Sequence, residues 1–157
     1  MRRFLTVPVL LAALVSLFAF APPVAAADSP VGGTYVKKSK EGTPEMSMSV
    51  EAWGPGKVKL SWRIKIKGTE MTMSVISKVD GTDADVIVNG KPSGETMAIK
   101  LVDKYHSSTV VKMKGQPFGT SKGTFSPDYK TLTVENDFSS AQGGNPAGKT
   151  TEVWVRQ

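Results

Sequence analysis

The chain has 157 residues and a formal charge of +6, with 15 Gly, 10 Pro, 7 Met, one His and no Cys. Without Cys there is no disulfide framework, thiolate-bound zinc, iron–sulfur cluster or catalytic thiol, and a single imidazole rules out any site that needs two. This length predicts one small domain.

Taken in chain order, Arg2 and Arg3 form a charged start, Leu5 to Phe20 an apolar run, and Val24-Ala25-Ala26 a small-residue cleavage pattern after Pro22 and Pro23. This predicts a secretory signal peptide over 1–26, a linker over 27–32 and a folded domain over 33–157. The apolar run is short for a membrane span and is broken by prolines, so no stable insertion is expected after cleavage. Arg2-Arg3 resembles a twin-arginine signal but lacks its spacer before Phe4-Leu5. General export to the periplasm or beyond the cell is the expectation. Cleavage would leave 20 less 2 basic side chains against 14 acidic, about +4. That suits solubility and weak attraction to anionic surfaces, and gives no ground for a nucleic-acid partner.

From Gly33 onward the pattern is short strands and turns. Met46, Met48 and Val50 alternate with Ser47, Ser49 and Glu51; after Gly54-Pro55-Gly56, Val58, Leu60, Trp62, Ile64 and Ile66 alternate with mostly basic residues; Met71, Met73 and Val75 follow Gly68-Thr69. A period of two makes these three strands pair in sequence. Turn residues at Asp80-Gly81, Asn89-Gly90, Asp103-Lys104, Gly115 to Pro117, Pro127-Asp128 and Gly143 to Pro146 bound further strands at 84–88, 95–102, 107–114, 118–125, 131–138 and 150–156. With 34–38 in front there are ten. Sequential antiparallel strands with one apolar face and no covering helices must close on themselves, which predicts an all-β, single up-and-down barrel with a cavity.

Gly33-Thr34-Tyr35 resembles the opening strand of lipocalins and intracellular fatty-acid-binding proteins, and Val153-Trp154-Val155-Arg156 resembles their closing strand. Lys38-Ser39, Asp80-Gly81 with Val88-Asn89-Gly90-Lys91-Pro92, and Ser126, Asp128 and Lys130 to Thr133 are similar to a group of short secreted bacterial proteins of lipocalin-like type. The resemblance implies a lipocalin or fatty-acid-binding-protein-like barrel holding a hydrophobic ligand. The stretch Lys38 to Pro44 is too short for a helical lid. It also implies that Arg156 packs across Tyr35 as a structural cation–π contact. In fatty-acid-binding proteins an Arg-x-Tyr pair of the last strand takes the ligand carboxylate; the matching positions here are Glu152 and Trp154. If Glu152 points inward it would repel a carboxylate, and a neutral or cationic ligand is expected; otherwise it is a solvated outer residue.

The expected pocket lining is Met46, Met48, Val58, Leu60, Trp62, Ile64, Met71, Met73, Met97, Ile99, Val111, Glu152 and Trp154, with Trp62 the best placed to stack on a flat ligand. The paired Met-x-Met segments also admit a soft-metal alternative, Cu(I) or Ag(I) held by Met46, Met48, Met71 and Met73 with His106. A third reading is an envelope interaction protein with a solid core and the cationic stripe of Lys57, Lys59, Arg63, Lys65 and Lys67 on its outside. Asp103, His106, Ser107 and Ser108 are too close in sequence to converge as a triad, so no enzyme, and no cofactor, is expected. The partner expected is a small hydrophobic molecule, bound by a monomer.

Overall fold

A computed structural model of the chain describes residues 28–39, 44–141 and 147–157. The signal segment 1–26 expected from the sequence lies outside them, as do most of the connection at 40–43 and of the glycine-rich segment at 142–146. Ten strands follow one another: β1 Gly33–Lys37, β2 Glu45–Ala52, β3 Val58–Ile66, β4 Thr69–Ser77, β5 Asp80–Val88, β6 Lys91–Leu101, β7 His106–Met113, β8 Gln116–Phe125, β9 Thr131–Phe138 and β10 Gly148–Arg156. Each pairs antiparallel with its neighbours in sequence, and β1 pairs with β10, closing an up-and-down barrel. The described residues contain no helix.

Alternation decides which face lies inside. Met48 pairs with Trp62 and Trp62 with Met73; Met46 pairs with Ile64 and Ile64 with Met71. Residues opposite one another across a ladder share a face, so these six apolar side chains fall inside with Val50, Leu60 and Val75. Lys59, Arg63 and Lys65 fall outside. An apolar interior and a charged exterior is the reverse of a lipid-facing barrel.

Turn chemistry separates the two ends. At one end three hairpins close through two-residue turns in which both positions are left-handed: Lys67-Gly68, Asn89-Gly90 and Lys114-Gly115. Such turns match the twist of the strands they join, and Gly supplies the second position without strain. One boundary differs from the sequence reading. Asp80-Gly81 begins β5 instead of preceding it, because Asp80 Oδ1 accepts from Thr82 N at 3.0 Å and Thr82 Oγ1 at 2.7 Å, while Val79, at φ 53°, makes the turn.

The other end is plugged. Tyr35 is fully buried and its hydroxyl donates to Tyr129 O at 3.0 Å; Tyr129 in turn donates to Lys104 O at 3.0 Å. Phe125 stacks against both tyrosines, with ring centroids 5.9 and 5.7 Å away. The Arg156 guanidinium lies 5.9 Å from the Tyr35 ring centre and donates to Ser29 O at 2.8 Å. This ties the final strand to the first and to the segment preceding it. Burial of the Tyr35 ring raises its pKa above the ordinary 10.0, against the opposing pull of Arg156.

Candidate functional site

Above the plug the barrel encloses a cavity of about 430 Å3, within the size range of small-molecule sites. One wall is apolar: Met46, Met48 and Val50 from β2, Val58, Leu60, Trp62 and Ile64 from β3, and Met73 from β4. Met97, Ile99 and Val111 continue it through β6 and β7. The facing strands add hydroxyls and an amide, from Ser107, Thr109, Ser121 and Asn136, and the carboxylates of Glu95 and Glu152. Phe118 and Phe138 both border the cavity, their ring centres 6.0 Å apart.

Of the residues expected to line a pocket, the structure places all but Met71 at the cavity. Met71 sits beside Ile64 and packs against the buried cluster of Tyr35, Met46, Met48, Val50, Ile64, Leu132 and Trp154. Glu152 points inward. Its Oε1 lies 2.5 Å from Lys37 Nζ, and its Oε2 accepts from Trp154 Nε1 at 3.2 Å. The glutamate side chain is 8% exposed and the lysine 19%, so this is a largely buried ion pair. Lys37 also approaches Met46 Sδ, at 3.6 Å.

The soft-metal arrangement is not assembled. His106 lies on the outer face, its Nδ1 2.8 Å from both carboxylate oxygens of Asp103. Strand β3 stands between the two Met-x-Met strands. A cation on Met46 would meet the ammonium of Lys37, and like charges in a low-dielectric interior repel strongly. A solid core is likewise not what the inward side chains build.

Sequence reasoning passed over Lys37, Ser121 and Asn136. Asn136 was within reach: it shares a face with Leu132, Val134 and Phe138 at a period of two. Lys37 was not, because its partner lies 115 residues further on.

No protein-family model matches the chain, and no curated protein matches it. Among solved structures it is similar to an asparagine-to-alanine mutant of the fluorescent protein UnaG, with a TM-score of 0.57 over 80% of this chain and 94% of that one, at 14% identity. At that identity the likeness speaks to fold. The chain is a closed ten-stranded antiparallel up-and-down barrel, and the likeness to that structure is one of fold.

Proposed function

We propose that this is an exported, non-enzymatic binding protein that holds one small, hydrophobic and uncharged molecule inside the barrel. The observation that carries the reading is the 430 Å3 cavity, walled on one side by Met46, Met48, Leu60, Trp62, Ile64 and Met73. Flexible thioethers around an indole suit an apolar guest whose shape they can follow.

The Lys37–Glu152 pair supports the uncharged part of the reading. An entering carboxylate would have to take Lys37 from Glu152, and an entering cation would have to take Glu152 from Lys37; either exchange strands a buried charge. Glu152 read alone admitted a neutral or a cationic ligand, and its pairing with Lys37 favours the neutral one. A non-catalytic role is supported by the placement of the only imidazole, His106, outside the barrel and on Asp103. Export rests on the charged, apolar and small-residue order of residues 2–26.

Titration with Nile red, a neutral apolar dye, tests the cavity: saturable, blue-shifted emission at one site per chain is expected. Native mass spectrometry of protein recovered from its own cells should show a non-covalent mass, with residues 1–26 removed. Absence of both the dye signal and any adduct overturns the binding role.

A further inference from the structure

Asn136 and Thr150 face one another across the β9–β10 ladder. Asn136 is 6% exposed and borders the cavity. Ser121, its ladder partner on β8, donates its hydroxyl to Asn136 Oδ1 at 2.6 Å. Nδ2 is then left with no acceptor among the described residues, and Thr150 Oγ1 has no partner there either. Turning the amide over only exchanges the atoms: Ser121 then holds the nitrogen and the oxygen is unmatched. Buried polar groups are ordinarily paired, and an orphaned one marks a place where a partner belongs.

The surroundings define that partner. Nδ2 itself has almost no accessible surface, but Asn136 borders the cavity, so a small turn of its side chain brings the amide to a group held in the barrel. Ser121, Asn136 and Glu152 border the cavity from β8, β9 and β10, and Thr150 lies next to Asn136 in the ladder without lining the cavity itself. In the strand ring, β3 and β4 lie five places from β8 and β9 and bring Trp62, Ile64 and Met73 to the opposite side. Such a chamber fits a molecule with an apolar body and one polar edge. An amide donor asks for an oxygen acceptor, and a neutral amide gives it no reason to be charged.

We propose that Asn136, with Thr150 beside it, is a polar subsite that receives the carbonyl oxygen of a neutral, otherwise apolar ligand. This rests on the binding role proposed above and names the chemistry of the guest.

The test uses two matched dyes, 6-propionyl-2-(dimethylamino)naphthalene and its 6-propyl counterpart, in which the carbonyl is replaced by a methylene. Water solvates the ketone better, so a cavity without a donor favours the propyl dye. From the wild-type protein to Asn136→Leu, the ketone-to-propyl affinity ratio is expected to fall about tenfold, equivalent to about 1.4 kcal/mol, with the propyl affinity unchanged. Thr150→Val is expected to lower the ratio less. In the wild type, the infrared carbonyl stretch of the bound ketone should lie below its value in dry alkane. An unchanged ratio in Asn136→Leu, or a carbonyl frequency matching alkane, overturns the subsite while leaving the cavity standing. Binding of neither dye removes the binding role and this inference with it. If Asn136→Leu does not fold, Asn136→Ala carries the same expectation.

Discussion

Lys37 and Glu152 meet inside the barrel, Nζ to Oε1 2.5 Å apart, although 115 residues separate them in the chain. The Trp154 indole N–H binds the second carboxylate oxygen at 3.2 Å. Desolvating two charges is costly, and their attraction repays it only while both are present. Lys37→Met should therefore destabilise by about 3 kcal/mol, leaving a buried carboxylate held by one indole. Glu152→Gln should cost less, roughly 1–2 kcal/mol, because the amide oxygen can still accept from Lys37 Nζ. The double variant Lys37→Met/Glu152→Gln should recover most of the loss. Urea unfolding of the four proteins gives the coupling, and additive losses would count against a mutually dependent pair.

The cavity predicts how a larger side chain acts. Met97 lines it from β6 and retains surface facing the interior. Met97→Trp should occupy part of the guest's volume, lowering Nile red affinity at least tenfold, roughly 1.4 kcal/mol or more. The far-ultraviolet circular dichroism should not change. Full retention of dye binding would place the bound dye elsewhere.

Gly33 predicts a steric effect at the plug. A methyl group there would lie 2.9 Å from Tyr35 Cε2 and 3.0 Å from Arg156 Cζ, too close without displacing the guanidinium from the ring. Gly33→Ala should cost about 1–3 kcal/mol, the usual range for overpacking. Gly33→Ala in an Arg156→Ala background should cost clearly less. Thermal unfolding of the single and double variants measures the difference.

Tyr35 predicts an alkaline weakness. Its folded pKa is raised, first by burial, and the hydroxyl proton is the one donated to Tyr129 O. The unfolded tyrosine deprotonates first as pH rises past about 10, so stability from this group is complete below that pH and is lost as pH climbs through the folded value. Chemical denaturation between pH 8 and 11.5, values set on the ordinary tyrosine range of about 10, should show a decline that is shallower in Tyr35→Phe. Identical slopes in the two proteins would assign the loss to other groups.

The strand pattern was legible because each inward position repeats every second residue, and Val58 to Ile66 carries that signal without interruption. Asp80-Gly81 misled for a local reason: an aspartate that receives Thr82 looks like a turn residue, and here the same bonds start a strand. The apolar lining could be read from alternation, and Met71 departs from it only because facing inward and reaching the cavity are different conditions. Asn136 carried the same periodic signal as Leu132 but was overlooked as a polar residue in an apolar series.

What the sequence determined by itself was the repeating unit: ten amphipathic segments, each with a face to hide and turn residues to reverse the chain, in a composition with one His and no Cys. Hydrophobic periodicity is a local property and needs no fold to be seen. Which strands met at the seam was decided only by closure, when β1 came to lie against β10. That contact gave Glu152 its cation, so the inward carboxylate is held as half of an ion pair. The ring likewise set Asn136 across from Trp62 and Met73. Charge neutralisation and the facing of opposite walls depend on distances through space, and those exist only once the barrel is closed.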